Sequence, residues 1–395
     1  MKVVSRWPAV PLSELVAETQ YGTSVKANED GVGVPILRMG NITYRGALDL
    51  TDLKYVDLPS KDLERYSVQR GDLLFNRTNS QDLVGKMGVW DRDEPYAFAG
   101  YLVRLRLRRD VADPAFVAAW FNTTEMKTLL RTRAKPSINM SNINATEVLK
   151  FPVVRPPLAD QRRIAEVLDR AEALRAKRRA ALAQLDTLTQ AIFVDLFGDP
   201  VVNRKNWPLK KFGDVGTLDR GVSKHRPRNA PELLGGSHPL VQTGEVANCD
   251  GYIRIYKSTY SDVGLRQSKL WSAGTLCITI AANIAKTGIL MFDACFPDSV
   301  VGFVAEDSAT VEYVRTWLSF LQKSLEENAP ESAQKNINLA ILRDLDIPIP
   351  SLALQQDFAR RIAAVEKLKA AHRASLAEMD ALFASLQHRA FRGEL

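Results

Sequence analysis

The chain repeats one segment, and this duplication limits its possible folds more than any other feature of its 395 residues. The tripeptide Asn-Ile-Asn at 142–144 recurs at 336–338, an offset of 194 residues. The same offset then holds without a gap as far as Leu188 and Leu382. A period close to 200 residues indicates duplication of a whole domain and not a solenoid of short repeats. We therefore predict two similar halves, each with a globular part followed by a helical segment.

Shorter matches extend the repeat into the globular parts. Trp-Pro at 7–8 returns at 207–208, and the lysine of Lys-x-Gly at 86–88 returns at position 286. Prolines stand just before each helical segment, at 156 and at 350. Because proline favours an extended approach and is tolerated only at a helix start, each long helix is expected to begin shortly afterwards.

The apolar residues of both helical segments recur every seven residues, which is typical of a coiled coil. The first segment has one seam position at Ile164, Ala171, Leu185 and Ile192, and a second at Val167, Leu174, Ala181 and Leu188, widened by Leu168 and Leu182. The second segment repeats the seam with Phe358, Val365, Met379 and Leu386, plus Leu368 and Leu382. Gly198 and Pro200 are expected to end the first helix.

One seam position is polar in both copies, with Arg178 in the first segment and His372 in the second. Each is the middle of five such positions, so the two meet at the centre if the helices pack antiparallel. A polar residue at a seam position fixes register, which makes this pair the candidate register layer. The alternative is that both side chains reach solvent. The cationic cluster at 175–179 is interpreted as a solvated or partner-facing flank of the helix.

The chain is mildly basic, with 53 Lys and Arg against 46 Asp and Glu. The net charge of +7 is compatible with binding a polyanion, and equally with a basic protein that has no such ligand. Three separated cysteines indicate neither a disulfide framework nor a zinc site. The most apolar stretch, 274–285, is too short to cross a bilayer. We expect a cytoplasmic protein with no membrane partner and no bound metal.

Each globular part is predicted to combine helices and strands. Strict alternation over 103–108 predicts a strand with one apolar face, whose other face carries three arginines that are either solvated or ligand-binding. Residues 73–75 and 276–280 are candidate buried strands, and 114–132 is a candidate amphipathic helix.

Polar loops follow these strands at equivalent places in the two halves. Arg, Asn and Gln side chains are the types that read base edges in a DNA groove, arginine for guanine and the amides for adenine. A single polar loop is ordinary, but recurrence in both halves favours nucleic-acid binding. The candidate DNA-binding residues are Arg38, Asn41, Tyr44, Arg45, Arg77, Thr78, Asn79, Ser80, Lys86, Lys135, Ser137, Asn139, Asn142, Lys224, Arg226, Arg228, Gln242, Asn283, Lys286, Gln334, Lys335 and Asn336.

The sequence contains no recognisable catalytic constellation. It lacks a phosphate-binding loop of the Gly-Lys-Ser/Thr type, a complete dinucleotide fingerprint and the Asn/Asp-Pro-Pro-aromatic tetrapeptide of amino-methyltransferases. Its four histidines lack metal-ligand spacing. A nuclease site built from scattered Asp and Glu residues stays an open alternative. We expect no catalytic residue and no cofactor in this chain.

The whole chain resembles the DNA-specificity (S) subunits of type I restriction-modification systems. The family shows Ile-Pro-x-Pro-Pro-Leu-x-Glu-Gln before a long helix, and this chain has Pro-Pro-Leu-Ala-Asp-Gln at 156–161. The second copy, Pro-Ser-Leu-Ala-Leu-Gln at 350–355, departs from the pattern at Ser351 and Leu354. The segment 71–77 is also similar to the family's strand and loop inside a target recognition domain.

The resemblance implies an α+β fold with two tandem target recognition domains, each followed by a long helix. The two helices would pack as an antiparallel coiled coil with pseudo-two-fold symmetry. The predicted parts are the first target recognition domain at 1–155, the first helix at 156–197, the second target recognition domain at 198–349 and the second helix at 350–395.

The resemblance also implies partners: double-stranded DNA, two methyltransferase (M) subunits on the long helices and a restriction (R) subunit. S-adenosylmethionine, ATP and Mg²⁺ are then expected in those partner subunits. Two reading domains separated by a helix of roughly 50 Å predict a bipartite target, asymmetric because the loops differ. Two other hypotheses stay open, a self-sufficient enzyme acting on DNA and a coiled-coil scaffold that binds no DNA.

Overall fold

A computed structural model describes residues 5–137, 140–281, 284–307, 309–327 and 337–395. The chain forms two compact units, unit 1 with residues 1–179 and 374–395, and unit 2 with residues 180–373. Each unit therefore contains one globular part and a section of both long helices. Within the described residues, no helix combines the length and the hydropathy that crossing a membrane requires.

Unit 1 is built on a four-stranded sheet in the order β2-β9-β5-β7. Smaller sheets have the orders β4-β3-β8 and β10-β11-β6, and β1 pairs with β12. The elements are β1 (Ala9–Pro11), β2 (Val16–Tyr21), β3 (Val34–Leu37), β4 (Lys54–Val56), α1 (Ser60–Tyr66), β5 (Leu73–Asn76), β6 (Thr78–Asn79), β7 (Met87–Val89), β8 (Ala97–Phe98), β9 (Leu102–Leu107), α2 (Pro114–Phe121), α3 (Thr124–Arg133), β10 (Lys135–Ser137), β11 (Met140–Asn142), α4 (Ala145–Val148), β12 (Pro152–Val154) and α5 (Leu158–Phe197).

The predicted strand at 103–108 is present as β9, but two of its three arginines are held in internal contacts, while Arg108 follows the strand and is exposed. Arg104 is 2% exposed and donates to Glu18 Oε1 at 2.6 Å and to the Ser67 carbonyl at 2.5 Å. Arg106 donates to Asp72 Oδ1 at 3.1 Å and to Glu18 Oε2 at 3.0 Å. Alternation alone missed this because a buried arginine paired with carboxylates looks, in sequence, like a solvent-facing one.

Unit 2 has a five-stranded sheet in the order β14-β22-β19-β20-β16 and a four-stranded sheet in the order β17-β15-β21-β18, and β13 pairs with β23. The elements are β13 (Leu209–Lys211), β14 (Gly216–Arg220), β15 (Leu234–Leu240), α6 (Thr243–Ala247), β16 (Gly251–Ile253), β17 (Ser258–Tyr260), α7 (Asp262–Arg266), β18 (Leu270–Trp271), β19 (Leu276–Thr279), β20 (Thr287–Leu290), β21 (Ala294–Cys295), β22 (Val300–Ala305), α8 (Val311–Glu327), α9 (Leu339–Asp344), β23 (Asp346–Pro348) and α10 (Leu352–Arg392).

The long helices α5 and α10 run antiparallel where they meet inside each unit. In unit 1, Ile164 shares a core with Phe391, while further along the same helix Arg175 pairs with Asp380. In unit 2, the rings of Phe193 and Phe358 lie 5.5 Å apart. Residue numbers rise along one helix as they fall along the other, as the prediction of antiparallel packing requires. The predicted α+β fold with two tandem domains and long helices is confirmed.

The predicted seam is correct at one position and wrong at the other. The first position is buried or half-buried throughout, as at Ile164 and Val365. At the second position, Leu174 is 56% exposed and Leu368 is 53% exposed. Positions four residues after the first seam position face inward instead, including Leu168 and, unexpectedly, Arg175. A helix packed on a globular part buries a stripe of this wider kind, rather than the narrow two-position seam of an isolated coiled coil.

A buried glutamine ties the start of each long helix to its globular part. Gln161 is 1% exposed, accepts from the Asp113 amide and donates to the Val111 and Pro156 carbonyls, each at 2.9 Å. Its repeat counterpart Gln355 accepts from the Thr310 amide at 2.9 Å and donates to the Pro350 carbonyl at 3.0 Å. The glutamine of the repeated motif therefore has a structural role, joining helix and domain.

Candidate nucleic-acid interface

Two of the predicted polar loops of unit 1 come together in one small sheet. β6 pairs with β11, so that Thr78 lies opposite Asn142 and Asn79 lies opposite Ser141. β11 in turn pairs with β10, where Lys135 lies opposite Asn142. Segments that are more than 50 residues apart in sequence are therefore neighbours, and we call the face formed by Tyr21, Arg77, Thr78, Lys135 and Asn142 the Arg77 surface.

Arg77 is held in one orientation at the centre of this surface. Its guanidinium lies over the ring of Tyr21, 5.0 Å from the centroid. It donates to the Gly100 carbonyl at 3.3 Å and to Asn142 Oδ1 at 3.2 Å. These contacts use two of the five N–H donors of the arginine. Nε is buried without a hydrogen-bond partner among the described residues, so the donors left for a ligand are the remaining ones on the two terminal nitrogens. A planar donor group fixed in this way is suited to a bidentate contact with an acceptor pair.

The side chains around Arg77 divide into supports and exposed groups. The Asn142 amide donates to Thr78 Oγ1 at 2.7 Å, so both ends of this amide are used within the surface. Asn79 is buried and accepts from the Ser80 amide at 2.9 Å, which shapes the turn. Ser80 and Lys135 are exposed. Ser137 is the last residue of β10, and Asn139 lies outside the described residues.

Two predicted residues of unit 1 are buried, and a third beside them forms an exposed ion pair. The Lys86 ammonium is buried and donates to the carbonyls of Met39, at 2.8 Å, and Ile42, and burial lowers its pKa. Asn41 is buried and accepts from the Arg38 amide at 2.8 Å. The Arg38 guanidinium pairs with Asp52 at 2.8 Å. These residues hold the segment around Met39 in place and are not brought to the Arg77 surface.

Tyr44 and Arg45 belong to a second basic group that sequence reasoning identified only in part. The Lys127 ammonium lies 3.7 Å from the centroid of the Tyr44 ring, and Arg131 donates to the Tyr44 hydroxyl at 2.8 Å. Burial, reinforced by the charges of Arg131, Arg45 and Lys86, lowers the pKa of Lys127 to about 8. No sequence signal marked Lys127, because it stands on a helix and its contacts are distant in the chain.

Three of the five unit 2 candidates that the structure describes lie on an exposed loop. Lys224, Arg226 and Arg228 are all exposed. Arg228 pairs with Asp298 at 2.6 Å, and Arg226 approaches the same carboxylate at 3.7 Å. One carboxylate therefore holds two guanidinium groups close together.

The remaining candidates of unit 2 have different surroundings. Gln242 is exposed at the start of α6, where its backbone amide donates to Glu245 Oε2 at 3.1 Å. The Lys286 ammonium donates to Gln322 at 3.3 Å. The structure does not bring these two residues to the loop of Lys224.

A backbone hydrogen bond that joins two candidate segments in unit 1 recurs at the equivalent place in unit 2. The Ile143 amide donates to the Arg77 carbonyl at 2.9 Å, and the Ile337 amide donates to the Ile280 carbonyl at 3.1 Å. Four candidates of this region lie outside the described residues, namely Asn283, Gln334, Lys335 and Asn336. The equivalent segments of the two halves are thus anchored in the same way.

The predicted register pair is half-buried on the long helices, Arg178 on α5 and His372 on α10. Arg178 belongs to unit 1 and His372 to unit 2. Their role in register stays a prediction. Within the described ranges, no group of three or more His, Cys, Asp or Glu side chains is placed to hold a metal ion.

Similar proteins agree with this architecture. The sequence profile of the type I restriction modification DNA specificity domain matches residues 5–184 and 204–379. A Methanocaldococcus jannaschii protein, named as a type I restriction enzyme MjaX specificity subunit, is 22% identical over 92% of this chain and 87% of its own length. The EcoKI specificity subunit of Escherichia coli is 29% identical over 46% of this chain and 40% of its own length.

A solved structure gives the same fold at low identity. The S subunit of a type I restriction-modification system from M. genitalium has a TM-score of 0.60 at 11% identity, covering 99% of this chain and 97% of that one. Two profile matches in tandem cover most of the chain, and each falls on one repeat. The chain therefore belongs to the family of type I restriction-modification DNA specificity subunits, the non-catalytic members of these systems that carry the target recognition domains.

Proposed function

We propose that each globular part reads one half of a bipartite, asymmetric target in double-stranded DNA. One observation carries the proposal: the strands Thr78–Asn79, Lys135–Ser137 and Met140–Asn142, separate in sequence, form one polar sheet beside the fixed guanidinium of Arg77. A pre-oriented guanidinium costs little conformational entropy when it binds, which favours a specific contact over a diffuse one.

In unit 1 we assign direct base contact to Arg77, whose unused donors match the O6 and N7 acceptors of guanine in the major groove. Thr78 and Asn142 position Arg77 through their own hydrogen bonds. The exposed ammonium of Lys135 supplies a phosphate contact, which adds salt-dependent affinity and carries no sequence information.

In unit 2 we assign DNA contact to the loop that carries Lys224, Arg226 and Arg228. Its chemistry differs from that of the Arg77 surface, because two arginines share one carboxylate and no ring lies under either guanidinium among the described contacts. Two halves with different reading groups select different base sequences, so the proposed target is asymmetric.

We further propose that two methyltransferase subunits bind the long helices and that a restriction subunit completes the complex. Leucines exposed at repeat-equivalent positions support this: Leu174 and Leu368, and again Leu188 and Leu382. Exposed apolar residues at matched places in two halves suit two copies of one partner. S-adenosylmethionine, ATP and Mg²⁺ would be bound by these partners, and because DNA is the ligand the complex would act in the cytoplasm.

A methylome tests this proposal. The chain is expressed with its methyltransferase subunit in a host that lacks adenine methylation, and modified adenines are mapped by single-molecule sequencing. The expected result is one motif with two specified halves around an unspecified spacer, lost when this chain is omitted. A single continuous motif, or a motif that persists without this chain, would contradict the proposal.

A further inference from the structure

A cluster of charged side chains occupies the middle of the helix pair in unit 1. The side chain of Arg175 is 8% exposed, and its guanidinium pairs with Asp380 of α10 at 2.5 Å and with Glu172 of its own helix. The guanidinium also lies 4.2 Å from the centroid of the Phe383 ring. Arg179 donates to Glu172 at 2.5 Å. We call Glu172, Arg175, Arg179 and Asp380 the Arg175 cluster.

Unit 2 contains the same arrangement with lysine at its centre. The side chain of Lys369 is 6% exposed and pairs with Asp186 of α5 at 2.7 Å and with Glu366 of its own helix at 3.2 Å. Arg373 approaches Glu366 at 3.8 Å. Each member lies 194 residues from its counterpart in the Arg175 cluster, so the Lys369 cluster consists of Asp186, Glu366, Lys369 and Arg373.

Each cluster also reaches the globular part of its unit. In unit 1, Arg45 approaches Glu172 at 3.7 Å and Asp380 at 3.9 Å. In unit 2, Arg254 approaches Glu366 at 3.4 Å, and Arg373 pairs with Asp250. A cluster therefore joins three elements: the first long helix, the second long helix and a loop of the globular part.

These clusters lie where apolar packing is weakest. Arg175 is the one buried residue between Leu168 and Phe193, a stretch of α5 that the structure describes throughout. Lys369 is likewise the one buried residue between Val365 and Ala390, a stretch of α10 that the structure describes throughout. A buried ion pair adds little stability compared with an apolar replacement, because desolvation offsets the Coulomb attraction. Its effect is to exclude arrangements in which the charge is left unpaired.

We propose that the Arg175 and Lys369 clusters are positioning sites, one in each unit, that fix the register of the two long helices and seat the globular part on them. Arg175 and Lys369 are the central cations. Asp380 and Asp186 supply the contact to the opposite helix, and Glu172 and Glu366 supply the shared contact to the globular part. This role explains why all four positions carry the same charge in both repeats. Charges on a solvated helix face are not required to form the same pairs in both repeats.

Spin-label distances within unit 1 of the full-length chain test the proposal. Labels at Asp169→Cys and Glu378→Cys measure helix against helix, and labels at Ala47→Cys and Glu378→Cys measure the globular part against the helix. All three sites are exposed. The native chain should give one narrow distance distribution for each pair.

The deciding variant is Glu172→Gln, Arg175→Met, Asp380→Asn combined, which removes the buried central cation and both of its carboxylate partners. The charges that remain, Arg45 and Arg179, have partly exposed side chains that water can solvate. It should unfold at close to the native temperature yet show a second helix–helix distance, displaced by about 5 Å, the rise of one helical turn. Arg175→Lys, the arrangement that unit 2 uses, should keep both native distributions. Glu166→Gln with Arg170→Met, which removes an exposed pair on the same helix, is the matched control and should change neither.

Native distributions in the triple variant would overturn the proposal, as would loss of the native distances in Arg175→Lys. If the triple variant fails to fold, Asp380→Ala carries the test alone. It removes the contact to the opposite helix and leaves Glu172 paired with Arg175 and Arg179. A broadened helix–helix distribution supports the proposal, and an unchanged one overturns it.

Discussion

Replacing Gln161 with leucine tests whether the repeated motif joins each long helix to its domain. The side chain is 1% exposed and makes three hydrogen bonds to backbone groups, each 2.9 Å long. Leucine has a similar volume and cannot make any of them. Because the site excludes water, the Asp113 amide and the Val111 and Pro156 carbonyls would lose these partners.

The expected loss follows from the number of bonds. A buried hydrogen bond contributes about 1 kcal/mol net, and leaving a buried backbone group unpaired costs somewhat more, so three bonds correspond to about 3–4 kcal/mol of unfolding free energy. Gln355→Leu should cost a comparable amount in unit 2, where the same contacts recur at Thr310 and Pro350.

The assay is denaturant unfolding combined with hydrogen exchange read by mass spectrometry. Gln161→Leu should speed exchange in unit 1 around Asp113 and leave unit 2 near native. Gln184→Leu, an exposed glutamine on the same helix, is the control and should change stability by less than about 0.5 kcal/mol. A loss below about 1 kcal/mol for Gln161→Leu would refute the hydrogen-bond argument.

Three further predictions follow from single side chains. The pKa of Lys127 is about 8 in the folded chain and 10.5 in the unfolded chain, so unfolding takes up a proton between these pH values. The unfolding free energy of the native chain should therefore rise by about 3 kcal/mol across that range relative to that of Lys127→Met. Parallel pH profiles of the two proteins would count against this prediction. Arg104→Leu should destabilise unit 1 by about 1–3 kcal/mol in urea unfolding, because the Ser67 carbonyl loses its buried donor while Glu18 keeps its pair with Arg106, and a native-like midpoint would disprove this. Arg77→Lys should weaken binding of the assembled complex to its target by about 5- to 150-fold with little effect on unrelated DNA, measured by fluorescence anisotropy, and an equal loss on both DNAs would show that Arg77 contacts only phosphate.

The repeat made the architecture predictable, since one gapless offset implied two similar halves and two long helices. Antiparallel packing was implied by the family resemblance, and the contacts inside each unit agree with it. The loop chemistry singled out segments that the fold then brings together, although their pairing was not predicted: Thr78–Asn79, Lys135–Ser137 and Met140–Asn142 share one sheet in unit 1.

The failures have a common physical cause, which is that sequence alone does not reveal the partner of a polar side chain. Lys86 and Arg104 were assigned to surfaces by residue type, yet each is buried with carbonyl or carboxylate partners distant in sequence. Arg175 is predicted to belong to a solvated or partner-facing flank, whereas it is buried beside Asp380, a partner 205 residues away in the chain. Leu174 was placed in the seam because leucine is usually buried, whereas it is exposed here.

The central claim is that each unit reads its own half of the target. Methylomes of two variants test it most directly: Arg77→Ala in unit 1, and Arg226→Ala with Arg228→Ala in unit 2, each expressed with the methyltransferase subunit. We predict that each variant relaxes the base preference in one half of the motif, and that the two variants relax different halves. Relaxation of the same half by both variants, or an unchanged motif in both, would contradict it.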